Sequence, residues 1–499
     1  MRRYLLVAML LIVSVGTATC DAPTGLLAPG TEWEHPFYTI DSGVAGPTVL
    51  LVGGMHGDEP AGYRAADQIR HWPIHSGRLI VVPRVNTPGL AAGTRYMPGI
   101  EDRALRNANR NFPKLGERNV AQTPPCKDLW RLAKAIRPDW VVDLHEGFDF
   151  HATNSKSVGS SLIYRTDAGI DEIVDLIHST INAAIEKPSR KFDKLTGGPV
   201  NGGILRAAAE RLDAKVLGLE TTSRDQPMSL RTRQHRLMVS TLLQEIGVTS
   251  EDLVDVAAPR ERDETYVALY DAAGTGGKGV PRLTEILDSA ESYVAQHVGP
   301  ADIRAGMLSQ FDAIIFPGGS GGGQARGIGE DGADLVKSFV EGGGDYLGIC
   351  AGGYLASSRY SWSLGLLNAN CYTGPVQVPG EGTKQLWYRG KATMVEMEFT
   401  DDGEDSLGAG LPRKVKIRYM NGPILSPAGA DDLPDYEVLA RFRSENWTYE
   451  RQKGTMIDTP AIVAATCGSG RVIVISPHPE STDGLESVVT RAMDWLSAD

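Results

Sequence analysis

The chain has 499 residues, 41% of them hydrophobic, and a formal net charge of -12. It is too long for one ordinary domain, so we expect two or three, and its apolar content excludes a globally disordered chain. The acidic charge argues against a general nucleic-acid-binding protein, which would normally present a basic surface.

The first twenty residues have the form of a secretory signal, in which two arginines precede an apolar run from Tyr4 to Val15 and small residues follow. We therefore expect a signal over residues 1–20 and an exported protein, periplasmic or extracellular. A single anchoring helix left uncut is the alternative, although the run is short for a membrane span. Lipidation at Cys20 is a further alternative, which Thr17 disfavours because a lipoprotein signal usually has Leu there. No later run is long and apolar enough to cross a bilayer, so no membrane span is predicted for the mature chain.

Short β-branched apolar runs then alternate with the apolar spacing of amphipathic helices. The strand-like runs are TVLLVGG (48–54), RLIVVPRVN (78–86), DWVVDLH (139–145) and KVLGLET (215–221). The helical patterns between them are GYRAADQIR, KDLWRLAKAI and IDEIVDLIHSTINAAI. This alternation predicts an α/β domain over residues 21–249 with a largely parallel sheet.

A charged, proline-containing segment without a sustained apolar period follows, and we predict a linker over residues 250–263. A second α/β domain is predicted over residues 264–499. Its main patterns are YVALYDAAG, FDAIIFPGGSGGG, DLVKSFVEGGGDYLGICAGG and GRVIVISPHPE. The glycine-rich stretch GGSGGGQARGIGEDGA follows a strand, which favours a substrate-facing loop over a flexible linker.

Polar side chains stand at the predicted carboxyl ends of the strands in the first domain, where open α/β sheets place their ligands. His56 and Glu59 follow the first strand, His145 ends DWVVDLH, and Glu220 ends KVLGLE. Two imidazoles and one carboxylate make a three-ligand zinc site with a position open for water, whose proton zinc makes easier to remove. Glu220 fits the role of the group that takes this proton and passes it to a leaving amine. Ordinary hydrogen-bonded polar residues are the alternative for each member taken alone.

A further pair of polar residues lies in RNANRNFP (106–113), where Asn109 and Arg110 are placed to hold a substrate carboxylate by a charge-assisted, bidentate bond. A surface ion pair is the alternative for Arg110.

The motifs HGDE, NRNFP, DLHEG and GLETTS, in this order, resemble the zinc carboxypeptidase superfamily over roughly residues 40–245. The short intervals between them resemble its succinylglutamate desuccinylase/aspartoacylase branch and the related murein-peptide amidases. This resemblance implies that a mixed sheet flanked by helices carries zinc on His56, Glu59 and His145, with Glu220 as general base and acid. It also implies that Asn109 and Arg110 bind the free carboxylate of the substrate.

The same resemblance implies an arginine, ahead of the Asn-Arg pair, that polarises the scissile carbonyl. Arg95, Arg103 and Arg106 compete for this role, with Arg103 slightly favoured. The aspartoacylase branch carries a carboxy-terminal β domain that narrows its pocket, and in this chain another domain takes that place. Aspartate and succinylglutamate are therefore not carried over as substrates.

The second domain offers a candidate thiol site. The five cysteines are too few, and odd in number, for a disulfide framework, so at least one thiol is free. YLGICAGGYLA places Cys350 between a buried strand and small residues that can open a helix, which is the setting of a nucleophile elbow. The helix amino terminus would activate the thiol and supply amides to an oxyanion. His478 is available as a base with Glu480 to orient it, and Gly318 and Gly319 supply further amides.

This second domain resembles the class I glutamine amidotransferase-like fold, a flavodoxin-like α/β architecture. It resembles more closely the amino-terminal domain of fungal biotin–protein ligases, over about residues 264–499. The motifs that carry the resemblance are FPGGSGGGQARGIGEDGADLVKSFVEGGG, GICAGGYLA, YMNGPIL and SPHPE. It implies a Cys350–His478–Glu480 triad, with an elbow that no longer turns over substrate as the alternative.

The leading hypothesis is an exported zinc-dependent hydrolase that cleaves an amide bond next to a free carboxylate, in an acyl-amino acid or a short peptide. An alternative makes Cys350 the nucleophile of an amidohydrolase or amidotransferase-like enzyme. A third hypothesis makes the second domain a non-catalytic binding or capping module. The expected partner is a small-molecule or peptide substrate, and the sequence does not predict an oligomeric state.

Overall fold

The fold was analysed in a computed structural model that describes residues 22–259 and 264–498. The predicted signal over residues 1–20, with Cys20, lies outside the described residues, as do the last four residues of the predicted linker. The chain divides into two compact units. Asp225–Arg233 groups with the second unit, and the main division falls between Val256 and Ala257.

The first unit is built on an eight-stranded mixed sheet. Its strands are β1 (Gly25–Leu27), β2 (His35–Asp41), β3 (Thr48–Val52), β4 (Arg78–Val82), β5 (Trp140–Gly147), β6 (Ser161–Ile163), β7 (Asp193–Leu195) and β8 (Lys215–Thr222). They lie in the order β1-β2-β4-β3-β5-β8-β6-β7, and the central strands β4, β3, β5 and β8 run parallel. All four strand-like runs of the sequence thus form the parallel centre of this sheet.

Helices cover both faces of the sheet. They are α1 (Pro60–Ile69), α2 (Thr87–Ala92), α3 (Pro124–Ile136), α4 (Asp171–Ala183), α5 (Ile204–Leu212) and α6 (Met228–Glu245), whose first turns belong to the second unit. Successive strand residues point to opposite faces, so Leu51 packs in a core with α1, α4 and α6, while Leu50 packs in a core with α3 and α5. Burial on both faces explains the unbroken apolar runs of the central strands.

The second unit contains a nine-stranded sheet. The strands of the unit are β9 (Thr265–Tyr270), β10 (Tyr293–Val298), β11 (Ala313–Phe316), β12 (Asp345–Ile349), β13 (Ala369–Cys371), β14 (Pro375–Val378), β15 (Gly382–Gln385), β16 (Thr393–Phe399), β17 (Lys414–Tyr419), β18 (Leu425–Pro427), β19 (Glu437–Phe442), β20 (Pro460–Cys467) and β21 (Gly470–Ile475). In the nine-stranded sheet the order is β10-β9-β11-β12-β21-β20-β19-β16-β17. Neighbouring strands are parallel from β10 to β21 and antiparallel from β21 to β17. The helices of the unit are α7 (Gly279–Asp288), α8 (Pro300–Arg304), α9 (Gly321–Glu341), α10 (Ala351–Ala356), α11 (Asp401–Asp405) and α12 (Ser487–Leu496). The two-domain α/β fold class predicted from the sequence is confirmed.

The glycine-rich stretch after β11 is mostly helix, so the expectation of a substrate-facing loop is wrong beyond Ser320. Helix α9 begins at Gly321, and the Ser320 side chain caps it by accepting a bond from the Gly323 amide. A Cβ atom at Gly323 would lie 2.9 Å from Gly274 Cα, and one at Gly327 would lie 2.6 Å from the Tyr270 hydroxyl. These glycines therefore serve close packing against the helix rather than chain flexibility.

Within residues 22–259 and 264–498, no helix has the length and apolar character to span a membrane.

Gly62 provides a test of how tightly α1 packs on β5. An added Cβ atom would lie 2.6 Å from the Leu144 carbonyl oxygen. In an open helix Gly→Ala stabilises by about 1 kcal/mol, but here overpacking should outweigh that gain. We expect Gly62→Ala to lower the free energy of unfolding by about 1–3 kcal/mol in denaturant titration. Ser179→Ala, on the exposed side of α4, should stay within about 0.5 kcal/mol of wild type, and equal effects of the two changes would contradict the packing argument.

Candidate functional site

His56, Glu59 and His145 meet at the carboxyl ends of β3 and β5. His56 lies in the turn after β3, Glu59 occupies the N-cap position of α1, and His145 lies within β5. All three are buried, and one ligand atom from each lies within 4.8 Å of the others. Because β3 and β5 are parallel neighbours, their ends bring residues 86 or more positions apart into one cluster.

The donor atoms of this cluster converge on the Glu59 carboxylate. His56 Nδ1 lies 2.9 Å from Glu59 Oε1, and His145 Nδ1 lies 2.7 Å from Glu59 Oε2. The two imidazole rings are 4.9 Å apart between centroids. Two ring nitrogens and a carboxylate facing each other form a donor set that suits a divalent metal ion and leaves coordination positions open.

The outer nitrogens of both imidazoles have their own acceptors. His56 Nε2 lies 3.0 Å from Asn107 Oδ1, and His145 Nε2 lies 2.8 Å from Asp143 Oδ2. Such outer hydrogen bonds fix the ring orientation and leave Nδ1 free to bind a metal. Neither acceptor was predicted from the sequence. For Asp143 a signal existed, because it stands two positions before His145 and so shares its face of the strand.

The charged groups of the cluster shift one another's pKa values. Burial alone would raise the pKa of Glu59, but the imidazoles of His56 and His145 hold it well below its ordinary value. Burial alone would lower the pKa of His145, but Asp143 and Glu59 raise it well above its ordinary value. The imidazoles thus place positive charge around the buried Glu59 carboxylate. A bound cation would neutralise this carboxylate in their place.

Glu220 stands beside the cluster in β8, with its Cα paired to that of His145 across the sheet. It is 6% exposed, and its Oε2 atom has no hydrogen-bond partner among the residues the structure describes. Burial raises the pKa of this carboxyl to about 8, an effect that nearby His145 opposes and Glu59 reinforces. A buried carboxylate oxygen without a partner supports the fit of the site to a cation and its water, since such atoms normally have partners.

The predicted carboxylate-binding pair adjoins the cluster. Asn109 Nδ2 lies 3.1 Å from His145 Nε2, and the Arg110 guanidinium donates to the Asn109 carbonyl oxygen at 2.6 Å. The Asn109 side-chain oxygen accepts from the Ile204 amide at 3.3 Å. Both residues are only partly buried, so they are placed between the cluster and solvent.

Of the three competing arginines, the structure brings Arg95 to the cluster. Its guanidinium lies 2.5 Å from Glu59 Oε1. Arg103 is exposed and has no side-chain contact with the cluster within the described ranges, and Arg106 donates to the Ile100 carbonyl oxygen instead. The segment over residues 86–95, which contains α2, therefore carries an arginine into the site.

In the second unit, Cys350 forms a strained turn between β12 and α10. Its φ of 50° and ψ of -96° lie in a region that residues with a Cβ atom rarely adopt. Its Sγ atom is 3.5 Å from the Met420 carbonyl oxygen, and the residue is 5% exposed. Strain held at a thiol between a strand and a helix is the geometry of a nucleophile elbow.

His478 and Glu480 complete the predicted triad around this thiol. His478 and Cys350 line the same cavity, and His478 Nδ1 lies 2.8 Å from Glu480 Oε1. Burial alone would lower the pKa of His478, but Cys350 and Glu480 raise it to about 10. The structure thus brings together all three residues, although their catalytic role stays a prediction.

A cavity of about 750 Å³ opens at the triad, and Gly318 and Gly319 line it. A Cβ atom at Gly318 would lie 2.8 Å from His478 Cε1 and 3.7 Å from Cys350 Cβ. Only glycine fits there without moving the imidazole. The backbone of this loop therefore reaches the thiol closely enough to face a reacting carbonyl.

Matches to known protein families fall in the same two parts of the chain. Residues 45–172 match the family model of the succinylglutamate desuccinylase/aspartoacylase catalytic domain, and residues 265–494 match that of the biotin-protein ligase amino terminus. The first region therefore resembles a deacylase domain, and the second resembles the domain that precedes a biotin-protein ligase. The resemblances to the succinylglutamate desuccinylase/aspartoacylase branch and to the amino-terminal domain of biotin–protein ligases are confirmed.

Individual relatives extend the first match. A segment of 106 residues is 39% identical to N-alpha-acetyl-L-2,4-diaminobutyric acid deacetylase from Halomonas elongata, covering 20% of this chain and 29% of that protein. The product-bound ectoine utilization protein EutE (DoeB) from Ruegeria pomeroyi is 20% identical with a TM-score of 0.32, over 44% of this chain and 62% of that one. The mDAP-bound form of Helicobacter pylori Csd4, a D,L-carboxypeptidase, is 14% identical with a TM-score of 0.36, over 86% and 96%. The segment thus spans less than a third of the curated relative, and the structural likenesses carry no conclusion about activity.

Asp143 allows a test of the metal centre outside its ligands. We expect Asp143→Asn to weaken zinc binding about 10–100-fold, because the amide no longer holds the His145 ring as a carboxylate does. Competition against a chromophoric zinc chelator measures the affinity. Asp175→Asn, an exposed carboxylate on α4, is the matched control and should bind zinc as wild type does. Equal affinities for all three proteins would contradict a metal held by His145.

Proposed function

We propose that the protein is a zinc-dependent hydrolase that cleaves an amide bond next to a free carboxylate. The observation that carries the proposal is the convergence of two imidazole Nδ1 atoms and the Glu59 carboxylate beside the unpartnered carboxylate oxygen of Glu220. The match to a deacylase family model and the partial likeness to an N-acetyl amino acid deacetylase support the same reaction class. The proposed substrates are acyl-amino acids and short peptides.

The residues of the site have distinct roles in the proposed reaction. His56, Glu59 and His145 would hold the zinc, which supplies Lewis acidity and makes water acidic enough to react at neutral pH. Glu220 takes the proton of the attacking water and delivers it to the leaving amine. Arg95, whose guanidinium contacts Glu59, would polarise the scissile carbonyl, in the role that the sequence slightly favoured for Arg103.

Substrate orientation falls to the residues at the rim. Asn109 and Arg110 bind the free carboxylate, and a guanidinium suits this role because its planar N–H groups match two carboxylate oxygens. Fixing the carboxylate places the neighbouring amide over the zinc ligands, which lowers the entropic barrier to attack. The signal predicted over residues 1–20 would place this activity outside the cytoplasm.

Measurement of the zinc content and a substitution at Glu220 together test this function. We expect the purified protein to contain about one zinc ion per chain and to lose amide hydrolysis on chelation. Glu220→Gln should keep the zinc while kcat/KM falls about 10²–10⁴-fold, because the proton carrier is lost. A panel of N-acyl-amino acids and dipeptides supplies the assay, which is run in the Cys350→Ala background so that thiol chemistry does not contribute to the rate. A zinc-free protein whose Glu220→Gln variant hydrolyses the panel as wild type does would refute the proposal.

We infer a second candidate function, thiol-dependent amide hydrolysis at Cys350, from the strained backbone and the assembled triad. In this reaction Sγ bonds to the amide carbon while His478 takes the thiol proton. The C–N bond then breaks, and His478 returns that proton to the leaving amine. Water cleaves the thioester, which releases the acid and restores the thiol. A second unit that only binds ligands is the alternative, and it requires no selective reactivity at Cys350.

Alkylation rates distinguish these alternatives. Burial raises the pKa of Cys371 to about 12 and raises that of Cys467, so these thiols are internal references. With iodoacetamide at pH 7, we expect Cys350 to react at least about tenfold faster than either reference, as followed by mass spectrometry.

A glycine pair supplies the matched variants for this experiment. Gly318→Ala should slow Cys350 about tenfold or more, since the added methyl displaces His478. Gly277→Ala, in the same cavity wall but with no atom within 4 Å of the new methyl, should not slow it. Labelling of Cys350 no faster than Cys371 or Cys467 would rule out this second function.

A further inference from the structure

Aromatic rings line the cavity at Cys350. Tyr360 and Trp362 stack with centroids 4.5 Å apart and planes inclined by 7°, and both line the cavity. Trp387 and Tyr388 line it as a second pair and are 41% and 39% exposed. A volume of about 750 Å³ is that of a cavity which holds a ligand of drug or short-peptide size.

The exposed pair is held in place by buried polar side chains. Gln452 is fully buried and donates to the carbonyl oxygens of Leu386 and Tyr388, at 2.8 and 2.7 Å. Arg389 is 1% exposed, and its guanidinium donates to Asn446 and Thr455, at 3.1 and 2.7 Å. Exposed rings on a fixed backbone lose little conformational entropy when a ligand covers them, which is how preorganised binding surfaces gain affinity.

The other aromatic pair is also shaped by its surroundings. A Cβ atom at Gly321 would lie 3.1 Å from the Trp362 ring. The helix α9 backbone therefore packs directly against the indole, and a larger residue at this position would displace its neighbours. A close glycine contact thus positions the Tyr360–Trp362 pair, and a buried hydrogen-bond network positions the Trp387–Tyr388 pair.

The charged residues of the cavity favour an anion. Lys278 and Arg418 line it, and neither makes an ion pair within the part of the chain that the structure describes. Glu480 is the single carboxylate among the described residues of the lining. Its Oε1 accepts from His478 and from the Ser481 hydroxyl, at 2.8 and 3.3 Å, and its buried Oε2 has no hydrogen-bond partner among the described residues. The two cations therefore outnumber the one carboxylate of this cavity. Two cations without an acidic partner would attract a negatively charged group on the ligand.

We propose that the Cys350 cavity is a specificity pocket for an amide substrate that carries both an aromatic ring and a carboxylate. The ring stacks on the aromatic lining, and the carboxylate faces Lys278 and Arg418. This arrangement presents the amide carbonyl to Cys350 and the Gly318–Gly319 loop. The inference rests on the second function proposed above, and it adds the substrate class of that site.

Haloacetyl amino acids test the pocket, because each forms one Sγ–C bond at Cys350 and releases iodide. The probes are N-iodoacetyl-phenylalanine, its carboxamide, N-iodoacetyl-alanine and iodoacetamide. We expect the phenylalanine probe to alkylate Cys350 about tenfold faster than the alanine probe, through ring stacking, and with saturation. Its carboxamide should lose several-fold in rate at low salt, because it lacks the charge that the cations attract.

Two tryptophan variants test whether both aromatic pairs recognise the ring. Trp362→Ala and Trp387→Ala should each reduce the phenylalanine-to-alanine rate ratio to within about twofold of unity. Because the readout is a ratio at one thiol, a general change in reactivity cancels. Trp447→Ala is the matched control, since this tryptophan is 42% exposed but does not line the cavity, and it should keep the wild-type ratio. Lys278→Gln should abolish the carboxylate preference and keep the aromatic one.

The outcomes separate this inference from the function on which it rests. If iodoacetamide labels Cys350 no faster than Cys371 and Cys467, thiol chemistry itself is refuted. If Cys350 is selectively labelled but wild type shows equal rates with the phenylalanine and alanine probes, the aromatic pocket alone is refuted. A ratio that falls equally in Trp447→Ala would also overturn the assignment of the ring to this cavity.

Discussion

The first unit depends on a buried negative charge. Glu59 is 4% exposed, and a carboxylate so far from water is tolerated only when it is paired and hydrogen-bonded. It is paired with His56 and His145 and with the guanidinium of Arg95, and the Glu146 amide donates to it at 3.2 Å. These partners come from the turn after β3, from β5 and from the loop that carries Arg95. The Glu59 carboxylate therefore connects the amino-terminal end of α1 to β3 and β5. A displacement of these elements relative to one another would leave the charge of Glu59 unpaired.

Much of this arrangement could be predicted from the sequence because its determinants are local. The central strands are continuous β-branched runs, and His56, His145 and Glu220 stand where those runs end. Other parts depend on contacts between distant segments. Asn107 accepts from His56 across 51 positions, and Arg95 reaches Glu59 across 36, so single-sequence spacing could not select Arg95 over Arg103. The beginning of α9 was missed for a related reason: glycines in GGSGGGQARG usually indicate a loop, and here close neighbours require them within a helix.

The strained thiol of the second unit was predicted for a different reason. A strand followed by a cysteine and small residues indicates a sharp turn, and the left-handed φ of Cys350 is the cost of that turn. The sequence also indicated His478 and Glu480, which lie only two positions apart. It did not indicate the aromatic cavity, because Trp362 and Trp387 are separated by 25 positions and by β13, β14 and β15. Their common surface depends on how Arg389 and Gln452 hold the chain, and those two residues look like ordinary polar positions in the sequence.

Both centres contain a glutamate hydrogen-bonded to an imidazole Nδ1, yet they favour different chemistry. At Glu59 two Nδ1 atoms face one carboxylate, and their outer nitrogens are occupied by Asn107 and Asp143, so the inward donors converge and suit a cation. At Glu480 a single imidazole stands beside the carboxylate, and a thiol lines the same cavity. That geometry leaves no convergent donor set and suits the transfer of a proton instead. The number of imidazoles around the carboxylate, rather than the residue types, separates the candidate metal site from the candidate thiol site.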